Sequence, residues 1–327
     1  MTFIFLVWSA VHTNQHLIKH LAPEEGLRSK YEKLARRDLY EYSWKKTTTG
    51  ISKLIEVMRH DLKLTNFKFV KGYYPLAVAG NYLSTHPSPS MRDMDLLRRW
   101  IILSIVSGRY HERSQSKYAA DVKATTESKD LLDLFQHRTE SLDPEVLVAH
   151  VLTPSQLLNA DWNSAFVTLL YVVVRHLRAT DWRNHGCYVG DSLPNGTWHF
   201  HHIFPNERFD GERARLRREY EEALEEGNEA QLRSIEEQQK ALEGKVKSLG
   251  NLAFLTPETN ISIGNRSPLD YLREIASTEQ GRASLEAQLI PLDEELWKES
   301  SFDAFCEKRC KLLATKAKDL FFHPEVC

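Results

Sequence analysis

Apolar residues recur every three or four positions through most of the first half of the chain, the period of an amphipathic helix. The pattern runs from residue 14 to about residue 137 and is clearest in Ile51–Met58 and Met94–Val106. Proline disfavours helix in the residue before it. Such breaks interrupt the pattern at residues 86–90, 143–144 and 153–154. We therefore predict a helical domain over residues 1–150.

The second half begins with the same helical period and then changes. We expect a helix from Ser155 to about Thr180, whose apolar run Phe166–Val174 is nine residues long and therefore too short to cross a membrane. Two runs typical of short strands follow, Trp198–Phe204 and Leu252–Thr256. Between them lies a polar insert, residues 207–248, with the composition of solvated helices broken at Gly227 and Asn228.

The helical pattern returns near the C-terminus. Ser267 and Pro268 suit the N-cap and first turn of a helix. Helices are expected over residues 280–322, with Leu285–Phe321 as an amphipathic stretch. The predicted fold class is mainly α with a small α+β part, and residues 151–327 form the second predicted domain.

Charge is nearly balanced over the whole chain but not along it. The 327 residues include 43 basic and 45 acidic side chains, which argues against a generally basic nucleic-acid-binding protein. Residues 1–150 contain 22 basic and 17 acidic side chains, whereas residues 151–327 contain 21 and 28. Any contact with a polyanion is therefore local, and the basic half is where we expect it.

Cysteine usage and the N-terminus bear on the compartment. Four scattered cysteines do not form a disulfide framework, which favours a reducing, cytoplasmic setting. The apolar start, residues 1–11, lacks a basic region and is followed at once by His12. We expect a buried helix there rather than a signal peptide or a membrane span. The alternative is that the chain was cut from a longer one.

Three histidines in the first predicted strand are the leading candidates for chemistry. His199, His201 and His202 lie close together, and imidazole exchanges protons near neutral pH. On a strand, His199 and His201 share one face and His202 lies on the other, and Pro205 ends the strand. The alternative is an ordinary strand with histidines at a domain surface.

The sequence around and beyond these histidines resembles HNH (His-Me finger) endonucleases. Their ββα-metal motif has an acidic residue or His, then His, a hydrophobic residue and Pro on its first strand. An Asn opens the second strand, and a final Asn or His lies on a helix. The matching segments here are His201-His202-Ile203-Phe204-Pro205, Asn251 and, nine residues on, Asn260. The first position is His where Asp is commoner.

The resemblance implies an HNH nuclease domain with a ββα-metal core at about residues 197–275, which hydrolyses DNA phosphodiester bonds with the help of a divalent metal. It makes His202 the general base that deprotonates a water molecule. It makes His201 and Asn260 the metal ligands, and Asn251 the residue that orients His202 or braces the loop.

The resemblance also bears on the metal and on neighbouring residues. Oxygen ligands with one imidazole suit Mg²⁺, the favoured cofactor, or Mn²⁺, whereas a second imidazole from His199 shifts the preference towards Zn²⁺ or Ni²⁺. Asn265 is an alternative to Asn260 as a ligand, and Arg266 is a candidate phosphate clamp. Capping or surface roles are the alternatives for both.

The resemblance extends upstream in outline. Leu97–Tyr110, Ser114–Asp121 and Asp181–Trp182 are similar to segments of GmrSD-type restriction enzymes, which join a ParB/sulfiredoxin-like domain to a C-terminal HNH nuclease. This implies a role in restriction or anti-phage defence. The N-terminal domain and a Gly-rich phosphate loop are missing here. If the nucleotide-dependent step of that group operates, it comes from a partner chain or from a removed N-terminal part, so a separate ParB-like NTPase or recognition subunit is a candidate partner besides DNA. A second copy of the chain is a further candidate.

Basic residues of the helical half are candidates for DNA backbone contact, with a solvated helix face as the alternative. They are Arg98, Arg99, Arg109, Arg113 and Lys117.

The sequence also contains two weaker candidate metal sites. They are His12 with His16 and His20, and Cys306 and Cys310 with Cys327 or His323. The favoured alternatives are a surface stripe for the first and helix packing for the second.

A function of another class fits the same residues. In that alternative the protein is a non-catalytic DNA-binding or scaffolding subunit, and its His/Asn cluster is a structural metal site. Removal of a structural metal unfolds a small domain, whereas removal of a catalytic metal stops the reaction and leaves the fold intact. RNA as the substrate also stays open, because nothing in the sequence reads a 2′-hydroxyl recognisably.

Overall fold

The computed structural model describes residues 37–111, 114–127, 152–193 and 197–322. Within them the protein is mainly helical and has one two-stranded sheet, which confirms the predicted fold class at that level. The chain divides into two compact units, Met1–Val151 and Leu152–Cys327. The apolar start of the chain lies outside the described residues. Of the helices that are described, none is long and apolar enough to span a bilayer.

Four helices make up the described part of the first unit. They are α1 (Arg37–Glu56), α2 (Tyr74–Thr85), α3 (Met91–Val106) and α4 (Ser114–Glu127). A π-helical turn at Val57–Asp61 continues α1, and a 3₁₀ turn lies at Phe67–Phe69. The helices α1 and α2 approach closely at Gly50, where a Cβ atom would lie 2.1 Å from the Ser84 hydroxyl, so only glycine fits there.

The break between α2 and α3 lies where the prolines predict it. The helix α2 ends before Pro87, and α3 begins after Ser90 with a reciprocal capping pair. The Ser90 hydroxyl accepts from the Asp93 amide at 3.1 Å, and the Ser90 amide donates to the Asp93 carboxylate at 3.1 Å. The predicted apolar stripe of α3 is buried, with Trp100 and Ile101 fully inaccessible.

The second unit places a small antiparallel sheet among helices. Its helices are α5 (Pro154–Leu158), α6 (Phe166–His176), α7 (Asp210–Glu225), α8 (Glu229–Val246), α9 (Pro257–Ile263), α10 (Pro268–Ala276), α11 (Glu279–Ala287) and α12 (Phe302–Phe322). The strands β1 (His199–His202) and β2 (Leu252–Leu255) pair with His199 opposite Leu255 and His202 opposite Leu252. Short 3₁₀ turns lie at Asn206–Phe209, Leu249–Asn251, Glu294–Trp297 and Glu299–Ser301.

The strand β2 lies in the core of this unit, and side chains complete its hydrogen bonding. All four of its residues are buried. The Gln288 amide accepts from the Phe254 N–H at 2.9 Å and donates to the Phe254 carbonyl at 2.8 Å, like a neighbouring strand. The buried Arg309 donates to the carbonyls of Leu249, Gly250 and Gln288. These contacts fix the main chain that leads into β2.

The polar insert forms a helical hairpin, as its composition predicts. The helices α7 and α8 meet at Gly227, whose φ of 66° lies in the left-handed region that favours glycine. Asn228 caps α8 by accepting from the Gln231 amide. Five apolar side chains form a small core between the helices: Leu216, Ala223, Ile235, Leu242 and Val246.

The prediction of one helix from Ser155 to Thr180 is wrong. The helix α5 ends at Leu158 and α6 begins only at Phe166. Between them the Asp161 carboxylate accepts from the main-chain amides of Asn163 and Ser164, both at 2.9 Å. An aspartate that bonds to the backbone two and three residues ahead offers the chain an alternative to helix.

The predicted helical stretch Leu285–Phe321 is also interrupted. Leu289 has a left-handed φ of 62°, and Pro291 has no N–H to continue a helix. Two 3₁₀ turns follow before α12 begins at Phe302. The two predicted strands exist but are shorter than expected, four residues each. Ser267 is the N-cap of α10, as predicted, although its side chain makes no capping hydrogen bond.

Candidate active site

The end of β1 and the start of the following loop line a cleft of about 200 Å³. Its polar lining comes from two segments that are distant in sequence, residues 201–207 and 260–265. The polar lining residues are His201, His202, Asn206, Glu207, Asn260 and Asn265. The cleft therefore contains four of the residues that the sequence singled out, His201, His202, Asn260 and Asn265.

Asn251 braces the chain just beyond β1. Its side chain is fully buried; Oδ1 accepts from the Phe204 amide at 2.7 Å, and Nδ2 donates to the carbonyls of Phe204 and Val246 at 3.1 and 2.9 Å. Of the two predicted roles, bracing the loop is the one with hydrogen bonds to support it. This pattern explains why β1 ends before Phe204. The main-chain N–H and carbonyl of Phe204 bond to the Asn251 side chain and not to a neighbouring strand.

Asn260 lies on α9 with its amide between two imidazole rings. Its Oδ1 lies 2.9 Å from Nδ1 of His201, and its Nδ2 lies 3.4 Å from Nδ1 of His199. The helix α9 ends at Ile263, and Gly264, its C-cap, has a positive φ of 55°. The structure thus brings together His199, His201 and Asn260 on one face of β1, in agreement with the strand alternation.

Tyr271 restricts the protonation of His201. Its hydroxyl donates to the Ile203 carbonyl at 2.6 Å, and that carbonyl can only accept. The tyrosine oxygen, 3.4 Å from Nε2 of His201, is thus left to accept from that nitrogen. Burial lowers the pKa of His201 to about 4, so near pH 7 the ring has one hydrogen. It cannot donate to Tyr271 and to Asn260 at the same time.

His202 has a different environment on the other face of the strand. Its ring lies 5.1 Å from the ring of Trp162, which also stacks with Phe200 at 6.4 Å. Its Nε2 is buried and has no hydrogen-bond partner among the described residues. Burial lowers the pKa of His202, with Lys247 adding to the effect and Glu207 opposing it. The ring is therefore neutral near pH 7, which is the form that accepts a proton.

Of the remaining predicted residues of this unit, Asn265 and Arg266 lie at the surface, whereas Cys306 and Cys310 are buried. Asn265 is exposed at the rim of the cleft. Arg266 is exposed but already paired, since its guanidinium lies 2.6 Å from Glu274. Cys306 and Cys310 are buried free thiols of α12, which agrees with helix packing, and Cys327 and His323 lie outside the described residues.

For one of the predicted DNA-binding residues of the first unit, the structure contradicts the prediction. Arg109 is only 8 % exposed, and it donates two hydrogen bonds of 2.7 Å to the fully buried Asp121. Its charge is neutralised inside the unit, so it is not available to a phosphate. Arg98 is half-buried between Asp61 and Asp95.

Of the other basic residues singled out in the first unit, two are described. Arg99 lies on α3 and Lys117 on α4, and both are partly buried. Arg113 and the histidines His12, His16 and His20 lie outside the described residues.

Three aromatic residues at the site were not assigned roles from sequence. Trp182 is buried and meets the His201 ring edge-on at 5.6 Å, Tyr271 lies behind the same ring, and Trp162 lies beside His202. Trp182 follows Asp181 in a segment that carries part of the resemblance. Tyr271 and Trp162 have no such marker, because their relation to the histidines depends on how α10 and the loop before α6 pack.

Among the described residues, no group of three His, Cys, Asp or Glu side chains is arranged to hold a metal ion. The ligand set that the resemblance implies includes the Asn260 amide. Comparison with known proteins adds no assignment: no family model matches the chain, and no curated protein is significantly similar to it.

Proposed function

We propose that this protein is a metal-dependent endonuclease of the HNH type that hydrolyses DNA phosphodiester bonds, acting in restriction or anti-phage defence. The observation that carries the proposal is the pairing of His201 with Asn260 beside a neutral, half-buried His202 at one cleft. The defence role rests on the sequence resemblance alone.

The pair His201 and Asn260 fits a divalent cation. Adjacent ligands at right angles around an ion with bonds of about 2.1 Å lie about 3.0 Å apart, and Nδ1 and Oδ1 are separated by 2.9 Å. With the His201 hydrogen on Nε2, facing Tyr271, two lone pairs point at each other across this gap. A cation bound by both atoms would replace that repulsion with attraction, and Tyr271 would hold the ring in the tautomer required.

The residues divide the chemistry between them. His202 accepts a proton from the water that attacks phosphorus, and Asn251 keeps the loop beyond His202 in place. His201 and Asn260, with His199 in reach, would hold the cation. A bound divalent cation supplies electrostatic stabilisation of the charge that develops on the phosphate and on the leaving oxygen. Mg²⁺ or Mn²⁺ is the expected cofactor, and involvement of His199 would shift the preference towards Zn²⁺ or Ni²⁺.

Two exposed arginines of the insert are the candidates for contact with DNA. Arg217 and Arg218 of α7 are exposed and have no ion-pair partner in the part of the chain that is described. The helix begins at Asp210, four residues after the cleft residue Asn206, which Arg213 binds through its carbonyl and side chain. We therefore assign phosphate contacts to Arg217 and Arg218 of this helix.

The test is plasmid cleavage with a panel of Mg²⁺, Mn²⁺, Zn²⁺ and Ni²⁺, scored for nicked and linear product on plain and modified DNA. His202→Ala should lower the rate by about 10²–10⁴-fold because it removes the general base. His111→Ala, at an exposed histidine of the first unit, is the matched control and should cut like the parent.

Two results would count against the proposal. Equal cleavage by His202→Ala and the parent would show that His202 is not the base. A chelator that lowers the melting temperature of the parent, in a protein that cleaves nothing with any of the four ions, would support the structural-metal alternative instead. An RNA substrate of similar length, tested in parallel, reports on the nucleic acid preferred.

A further inference from the structure

Asp181 lies behind the cleft and is fully buried. Its Oδ1 accepts from the Thr259 hydroxyl at 2.6 Å and from the amides of Arg183 and Asn184, both at 2.9 Å. Its Oδ2 accepts from the Thr256 amide at 2.8 Å. Four donors thus converge on one carboxylate, which fills its roughly four lone-pair sites and ties it to three separate parts of the main chain or side chains around it.

Two of the four donors belong to the start of α9, the helix that carries Asn260. Thr256 is the N-cap of α9, and Thr259 is the residue directly before Asn260. The main-chain N–H of Asn260 in turn donates to the Thr256 carbonyl at 2.9 Å. A seven-residue helix has little stability of its own, so its position depends on contacts of this kind.

The residue after Asp181 contacts the other half of the pair. The Trp182 ring meets His201 edge-on at 5.6 Å and stacks on Tyr271 at 6.2 Å. One dipeptide therefore anchors the start of the helix that carries Asn260 through the Asp181 carboxylate, and packs against His201 through the Trp182 indole. The loop that carries it is itself tied down, because the Asp181 amide donates to the Cys187 carbonyl at 2.9 Å.

We propose that Asp181 is a positioning residue for cation binding, which sets Asn260 at ligand distance from His201 by anchoring Thr256 and Thr259. This inference rests on the proposed function. Residues that orient ligands without touching the metal commonly contribute 10–100-fold to metal affinity. The hydroxyl of Thr259 is the part of the network that can be removed with least change of shape.

The test measures Mn²⁺ binding to the full chain by calorimetry without DNA, together with the melting temperature. Asp181→Asn places an amide against hydrogen-bond donors, and Thr259→Val deletes one hydroxyl in a similar volume. Both should raise the Mn²⁺ dissociation constant by about 10–100-fold. Thr259→Ser keeps the hydroxyl and should remain within about threefold of the parent by the same reasoning.

Thr125→Val is the matched control, because Thr125 of α4 is also a buried threonine whose hydroxyl contacts a polar side chain, Asn81, at 2.9 Å. It should lower the melting temperature and leave Mn²⁺ binding unchanged. If Thr259→Val binds Mn²⁺ as tightly as the parent while its melting temperature falls, Asp181 is structural only and the inference is overturned. If Asp181→Asn does not fold, Thr259→Val decides.

Mn²⁺ binding and DNA cleavage by the parent protein distinguish a failure of this inference from a failure of the proposed function. A parent that binds Mn²⁺ and loses that binding in His201→Ala, with Thr259→Val unaffected, retains the proposed function and loses only the role of Asp181. A parent that binds no Mn²⁺ and cleaves no DNA with any divalent ion overturns both.

Discussion

Two buried polar clusters, one in each unit, differ in how their hydrogen-bonding groups are satisfied. In the first unit, Arg109 makes a two-pronged ion pair with Asp121, and the Tyr110 hydroxyl donates to the same carboxylate at 2.5 Å. In the second unit, His201 faces Asn260 at a cleft with one hydrogen for two acceptors, and the buried Nε2 of His202 has no partner in the described structure.

The difference separates a structural cluster from a candidate site. The Arg109 cluster uses its donors on a carboxylate that is buried away from solvent, so its charges are paired inside the first unit. The histidine cluster leaves acceptor capacity beside a cleft, which is a cost in folding unless a ligand uses it. Unsatisfied capacity next to a cavity is therefore a better guide to function here than a concentration of charge.

Removing one member of each cluster should give the largest contrast in stability. Arg109→Leu leaves the Asp121 charge buried without its cationic partner, although the Tyr110 hydroxyl still donates to it, and should lower the free energy of unfolding by about 3–5 kcal/mol. His202→Ala breaks no hydrogen bond of Nε2 and should cost about 1 kcal/mol or less. Urea unfolding of both variants makes the comparison, and adding Asp121→Leu to Arg109→Leu should recover part of the loss. Equal losses in the two single variants would contradict the distinction.

The histidine cluster should also respond to acid in a predictable direction. The pKa of His201, about 4 in the folded protein because of burial, lies below the value of about 6.5 for an exposed histidine. The free energy of unfolding is therefore not reduced by His201 above about pH 6.5. As the pH falls towards 4 the free energy of unfolding decreases, because His201 binds a proton in the unfolded chain and not in the folded protein. The loss should reach up to about 3 kcal/mol.

Urea unfolding with chelator present, between pH 7 and pH 4.5, measures this effect. His201→Leu provides the reference, since its stability should change less over that range. An identical pH dependence in parent and variant would show that His201 does not titrate as its burial requires.

Asn251 belongs to the candidate site, but like the Arg109 cluster its side chain is buried and hydrogen-bonded inside the protein. Asn251→Ala leaves the Phe204 amide and two carbonyls without partners and should destabilise the protein by about 1–3 kcal/mol. Asn228→Ala, at the exposed N-cap of α8, is the asparagine control and should cost about 1 kcal/mol or less. Thermal unfolding compares them, and an unchanged melting temperature for Asn251→Ala would contradict the bracing role.

The smallest expected effect concerns exposed charge. If Arg217 and Arg218 each contact one phosphate, the double variant Arg217→Ala with Arg218→Ala should reduce the slope of log binding constant against log salt by about 1–2. Arg98→Ala should leave the slope unchanged, because Arg98 is held by two aspartates. Binding to a DNA duplex over a range of salt concentrations measures both, and the reverse result would return the DNA contact to the first unit.

Local features predicted the local structure well. The prolines at 87 and 89, the glycine at 227 and the polar period of the insert each act within a few residues, and the breaks they predict are present. Predictions failed where a side chain made a backbone bond that competes with helix, as at Asp161, or where Leu289 adopted a left-handed conformation before Pro291. Pattern alone does not report such competition.

The same division holds for the candidate site. The order and spacing of His201, His202, Asn251 and Asn260 are properties of the sequence, and the strand period alone places His201 and His202 on opposite faces. Only the tertiary structure decided that Asn251 braces Phe204, that Arg109 is buried against Asp121 and that Tyr271 and Asp181 hold the site from behind. Those contacts join residues far apart in the chain, and burial determines which polar groups are satisfied.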